Sequence, residues 1–308
     1  MKYTSSNHTL SRRAALLRSS VFVLQAPAWS RPVSVAAAML AAVGAAHSQQ
    51  KLPRLVTLGG GITEMVYLLG ADSQLVGTDT TSLFPEAAQR TPKVGYMRAL
   101  SAEGLLSLKP QAIVATTEAG PPVVIDQIRS AGVQVELIEA DHTWGEVQRK
   151  LMAVGRLSGR DARARELLAQ LDAQWADAQR QVALAKSRKP RMLFILAHAQ
   201  TPSVSGTKTA ADALIQMCGG INVMTGYNGY RAMTAEAMAS AAPDIILTST
   251  MGVDAQGGVD KFWSRPELQL TPAFKRKALV HMESLKMLGF GPRLPEAVLE
   301  LHKQVMAS

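Results

Sequence analysis

The chain has 308 residues, with 33 Lys and Arg against 24 Asp and Glu, for a formal net charge of +9. Five of the basic residues (Lys2, Arg12, Arg13, Arg18 and Arg31) lie in the first 48 positions, which hold no acid; without that segment the balance falls to +4. Most of the case for nucleic-acid binding goes with it, and a single cysteine, Cys218, excludes an intrachain disulfide.

Residues 1–48 read as a signal peptide: a basic start, an apolar run from Val33 to Ala46, and a small-residue exit before Ser48. The run is shorter than the ~20 residues that span a bilayer. Arg12 and Arg13 admit a twin-arginine reading, but the long polar interruption before the apolar run favours ordinary secretion. With no second apolar run of spanning length, the expectation is a soluble, periplasmic chain.

From position 54 onward short apolar runs alternate with helical patterns. A strand over 54–58 leads through Gly59, Gly60 and Gly61 into a helix over 62–69. Ser101 reads as the N-cap of a helix that ends near Pro110, followed by a strand over 112–116. Next come a helix over 122–131, a strand over 133–138 and a helix over 144–157. Such alternation predicts βαβ units and a mainly parallel sheet. Residues 160–186 contain no Gly or Pro, and Leu167, Leu168, Leu171, Trp175 and Val182 form an apolar stripe at helical spacing. About 27 residues at 1.5 Å each predict a rod of ~40 Å. Alternation resumes with a strand over 191–197, a helix over 209–218 that buries Cys218, and a strand over 245–249. The predicted organisation is an N-terminal α/β lobe (49–159), a rigid bridging helix (160–188) and a C-terminal α/β lobe (189–308).

An internal repeat supports two lobes. Residues 98–117 align without gaps on 231–250, 133 positions later, with eight of twenty identities that include Arg98/Arg231, Glu103/Glu236 and Pro110/Pro243. Two copies are too few for a solenoid and suggest lobes facing each other across a ligand site.

No nucleophile elbow, Walker loop, His-Glu-x-x-His or Cys-x-x-Cys occurs, and the glycines at 59–61 lack the dinucleotide register. They serve either to let backbone approach a ligand or to turn the chain. The loop before Ser101 carries Gly95, Tyr96 and Arg98. A deprotonated phenol is a hard oxygen donor suited to ferric iron, including haem iron, and a neighbouring arginine favours the phenolate. The second copy offers Tyr227, Tyr230 and Arg231. Glu103 and Glu236 each stand two residues after an N-cap, Ser101 or Thr234, where the helix dipole alone accounts for an acid. One such carboxylate per lobe also suits docking onto a symmetric dimer with basic pockets.

On these residues the chain resembles the periplasmic haem-binding proteins of bacterial haem ABC importers, part of a binding-protein class that also carries cobalamin and ferric siderophores. The most specific stretch is 94–103, with Gly95, Tyr96, Arg98 and Glu103; the stretches 54–64, 209–214, 226–231 and 289–293 add to it. The resemblance implies two α/β lobes bridged by a long helix and a non-enzymatic role as a monomer. It also implies haem bound in the interlobe cleft and an inner-membrane ABC permease dimer with its ATPase as partner. Tyr96 falls on the haem-iron ligand and Arg98 on the arginine beside it. Glu103 and Glu236 fall on the permease-docking glutamates. His198 matches a position where some relatives place a histidine at the cleft. Gly60, Gly61, Tyr230 and Arg231 complete the expected pocket, with a propionate contact for Arg231. The alternatives are the same fold carrying a ferric siderophore or cobalamin, or an exported haem-processing or chelatase-like enzyme, which would turn haem over and not release it stoichiometrically.

Overall fold

A computed structural model describes residues 52–185, 189–197 and 202–307. The signal-peptide segment and His198 lie outside these residues. Strands β1 (Leu55–Leu58), β2 (Leu75–Thr78), β3 (Ala112–Thr116) and β4 (Gln134–Ile138) form a wholly parallel sheet in the order β2-β1-β3-β4. β1 and β3 are buried along their whole length, as strands of a sheet covered on both faces must be. Helices α1 (Gly60–Leu68), α2 (Ala102–Ser107), α3 (Pro122–Ser130) and α4 (Trp144–Ser158) connect and cover them.

The long segment forms one helix, α5 (Asp161–Leu184), of 24 residues. Leu167 and Leu171 of the predicted stripe are buried, and Leu168, Trp175 and Val182 pack around them. It lies against α4 from Ala164 to Trp175: Trp144 stacks on Trp175 with centroids 5.2 Å apart, and both Trp144 and Gln148 donate to Asp172. Gly155 lets the two helices approach closely, because a Cβ there would strike the methyl of Ala164.

The second sheet contains β5 (Arg191–Leu196), β6 (Ser203–Ser205), β7 (Ile221–Asn222), β8 (Tyr230–Ala232), β9 (Ile245–Ser249) and β10 (Leu279–Met282). β10, β9, β5 and β7 pair in parallel, whereas β6 and β8 add an antiparallel limb. The pairing is mainly parallel, as expected, with an antiparallel edge. β6 is three residues long and follows β5 too closely for a helical crossover, which only a parallel neighbour requires. Helices α6 (Ala210–Met217), α7 (Ala235–Ala241) and α8 (Leu294–Ala307) pack here, and α8 also lies along α5.

The repeat is reproduced in three dimensions at its offset of 133. Ser101 and Thr234 cap α2 and α7 by accepting from the backbone N–H three residues on. Lys109 (φ 47°) and Ala242 (φ 42°) both take the left-handed conformation before the shared proline, and β3 and β9 follow at matching positions.

The lobes share more than a connecting helix. One buried apolar cluster runs from Ile62 and Met65 of α1 through Leu151 and Leu167 to Phe194, Leu214, Val298 and Leu301. Arg293, before α8, donates two 2.8 Å hydrogen bonds to the buried Glu64 of α1, and pairs with Glu283 at 2.9 Å. Burial pushes the Glu64 carboxyl upward, opposed by Arg293. A continuous core and a paired buried carboxylate resist separation of the lobes. Ligand-free and ligand-bound forms are accordingly expected to differ by a modest rotation. Distances between spin labels on α2 and α7 test this, and a free form opened by tens of degrees would contradict it. Among the described residues no helix is long and apolar enough to cross a membrane.

Candidate ligand site

Tyr96 lies in the irregular loop that leaves β2 and returns to α2. Gly95 at φ 99° turns the chain, in a region that disfavours residues with a Cβ. Thr80 N–H donates to the Gly95 carbonyl, and Ala99 N–H closes a turn on the Tyr96 carbonyl. The loop is also tied to the segment after β3: Gly120 N–H donates to Met97 and Leu100 N–H to Gly120. The Tyr96 phenol thus stands on a tethered backbone while remaining 43% exposed, open to a ligand.

Arg98 completes the arrangement. Its Nη1 donates to Tyr96 Oη at 2.8 Å and its Nη2 to Glu118 Oε1 at 2.6 Å. Partial burial works against the guanidinium charge, but Glu118 and then Tyr96 outweigh it, and the group is held above its ordinary value. Glu118 has no part in any motif that sequence reasoning singled out. The one signal was its place two residues beyond a strand that ends in the repeat, and only the tertiary fold brings it to Arg98.

The second copy is built differently. Tyr230 and Arg231 lie in strand β8, where consecutive side chains point to opposite faces. Tyr230 packs edge-on to Phe194, and burial raises its phenol while Thr209 and then Arg98 act to lower it. It therefore keeps its proton and can donate. Arg231 instead stacks over Tyr227, 4.3 Å from the ring centroid, and Tyr227 Oη donates to the Val204 carbonyl. The expectation that both β8 side chains face one cleft gives way to strand alternation. Arg231 is exposed, and among the described residues no carboxylate lies within ion-pair distance of it.

Gly60 and Gly61 also need correction. Both are buried, and their missing side chains make room for protein. A Cβ on Gly60 would strike Leu285 and the Thr81 carbonyl, and one on Gly61 the Gly289 carbonyl and Gly291. The N-terminus of α1 is already occupied, since Asp79 Oδ1 accepts from Gly59 N–H and Thr81 Oγ1 from Gly60 N–H. The glycines serve the seam between the lobes. Cys218 is buried as expected, and burial pushes its thiol up to about 12, a packing residue without nucleophilic character.

Glu103 and Glu236 are both exposed in the first turns of α2 and α7, at positions equivalent under the repeat. Among the described residues no group of three or more His, Cys, Asp or Glu forms a metal-binding array.

Comparisons with known proteins agree with this architecture. The periplasmic binding protein BhuT, in a structure described as a heme-binding protein in complex with two hemes, superimposes with a TM-score of 0.78 at 41% identity, covering 83% of this chain and 98% of that one. The periplasmic heme-binding protein RhuT from Roseiflexus sp. RS-1 gives 0.77 at 34% identity, over 82% and 97%. By sequence, a Vitamin B12-binding protein of Yersinia pestis is 24% identical over 75% of this chain and 81% of its own length. An uncharacterized ABC transporter substrate-binding lipoprotein of Bacillus subtilis is 26% identical over 82% and 79%. Residues 55–285 match the family described as periplasmic binding protein, and the chain belongs to that family.

Proposed function

We propose that this protein is exported, captures haem in the cleft between its lobes and delivers it to an inner-membrane ABC permease with its ATPase. The observation that carries the reading is the Tyr96–Arg98 contact: an accessible phenol oxygen with a guanidinium donating to it at 2.8 Å. A single hard oxygen donor is a poor cage for a bare ion but suffices as an axial ligand for ferric iron whose equatorial positions a porphyrin fills. The haem-binding neighbours at 41% and 34% identity support that ligand over others of the class. Tyr96 ligates the iron, Arg98 stabilises the phenolate, and Tyr230 donates from the facing lobe. Cobalamin is the second reading, favoured by the B12-binding sequence relative. Titration with haemin and with cobalamin separates them: a Soret shift with one-to-one or two-to-one uptake of haemin is expected. Saturable binding of cobalamin alone would overturn the haem reading.

Glu103 and Glu236 present one carboxylate per lobe to the permease. Double charge reversal, Glu103→Arg with Glu236→Arg, is expected to abolish haem uptake in cells. Haem affinity of the purified protein should stay within about twofold, because rim charges away from a ligand contribute little. Loss of haem binding in that variant would remove the docking assignment.

A further inference from the structure

The Arg98 guanidinium is held from two sides, and only one of them belongs to the iron-binding pair. Its side chain is about half exposed, and an exposed arginine without a second anchor samples many rotamers. Glu118 supplies the anchor. The segment that carries it is stitched on both sides: Thr117 N–H donates to the Ile138 carbonyl, and Gly120 exchanges backbone hydrogen bonds with Met97 and Leu100. The carboxylate therefore keeps a fixed register against the Tyr96 loop.

The repeat provides an internal control. The position equivalent to Glu118 in the second copy is Met251, which is exposed, and there the corresponding Arg231 lies over the Tyr227 ring. The arginine held by a carboxylate is the one beside the accessible phenol.

We propose that Glu118 is a positioning residue for the iron-ligand pair. Its Oε1 holds Nη2 of Arg98 so that Nη1 stays on the Tyr96 oxygen, and its charge offsets part of the guanidinium's, keeping the bound haem releasable. The inference rests on the haem reading above. Two consequences follow with opposite signs. Removing the charge but keeping an acceptor oxygen leaves Arg98 in place with more net charge for the phenolate, which strengthens the iron–oxygen bond. Removing the acceptor altogether frees Arg98 and weakens that bond.

The test compares wild type, Glu118→Gln, Glu118→Ala and Glu118→Asp, each loaded with haemin. Transfer of haem to an excess of an apo-haem scavenger is followed by stopped flow, and the iron–phenolate band by resonance Raman. Glu118→Gln is expected to release haem roughly two- to fivefold more slowly, the range of a partly exposed ion pair. Glu118→Ala is expected to release it faster with a shifted iron–phenolate band, and Glu118→Asp to restore the wild-type band. Gln and Ala variants indistinguishable from wild type in rate and band would overturn the inference, as would faster release from Glu118→Gln. These results would leave the haem reading standing. A wild-type protein with no Soret shift would remove both, and one that binds haem with an unshifted spectrum after Tyr96→Phe would remove the ligand assignment on which the inference depends.

Discussion

Tyr96→Phe is expected to keep the fold and abolish iron ligation. The ring is 43% exposed, and among the described residues the only side-chain hydrogen bond to its hydroxyl comes from Arg98, so removing one oxygen disturbs no buried network. Thermal stability should stay within about 0.5 kcal/mol, the ordinary range for a surface substitution. Haem affinity should fall by at least about 100-fold, since even outer hydrogen-bond partners of a metal ligand are worth 10–100-fold. Haemin titration with a calorimetric melt on the same samples checks both expectations. Arg98→Ala serves as the graded companion: the phenol remains but loses its guanidinium donor, and an intermediate loss is expected. Wild-type affinity in Tyr96→Phe would show that the ligand is held by the cleft walls alone.

The parts of this architecture that were legible in the sequence are those fixed by short-range chemistry. β3 and β9 are apolar runs (Ala-Ile-Val-Ala and Ile-Ile-Leu) that follow Pro110 and Pro243 and give way to polar residues. The caps at Ser101 and Thr234 accept the hydrogen bonds their positions implied. Helix α5 declared itself by length and by the absence of breakers, and it ends at Leu184, where Ala185 turns extended.

What the sequence left hidden depends on contacts between distant segments. β6, β7 and β8 have two or three residues each, too few to show alternation; β6 and β7 owe their pairing to β5, and β8 owes its pairing to β6. The glycines at 60 and 61 looked like a ligand cradle because their partners, Leu285, Gly289 and Gly291, lie more than 220 positions away. Arg231 looked like a twin of Arg98 because the repeat aligns them, yet one sits in a turn and the other in a strand, where alternation sends Tyr230 and Arg231 apart. Glu118 escaped notice for the same reason: a carboxylate becomes a counter-ion only when the fold brings it to a charge.

The second large effect is expected at the seam between the lobes, from Lys150→Met. Lys150 Nζ lies 2.5 Å from Glu146 Oε1, with only 4% and 2% of the two side chains exposed. It also donates to the carbonyls of Gly289 and Phe290, at 3.3 and 3.2 Å, across from α4 to the segment before α8. Methionine fills a similar volume but leaves a buried carboxylate with the His142 backbone N–H as its remaining close donor, at 2.7 Å. Breaking a buried pair from one side costs about 3–5 kcal/mol. At roughly 2–4 °C per kcal/mol for a chain of this size, the melting temperature should drop by about 10 °C. The double variant Glu146→Gln, Lys150→Met should recover part of the loss, because no uncompensated charge then remains. Burial pushes the Lys150 ammonium below its ordinary value of 10.5, with Glu146 partly restoring it. The folded state therefore releases that proton before the unfolded chain does, and wild-type stability gains as pH rises from the folded value toward 10.5. Methionine cannot contribute this gain, so the stability gap between wild type and variant should widen with alkaline pH. A gap that narrows there, or an unchanged melting temperature, would show that apolar packing, including that of His142 against Phe290, holds the seam without the ion pair.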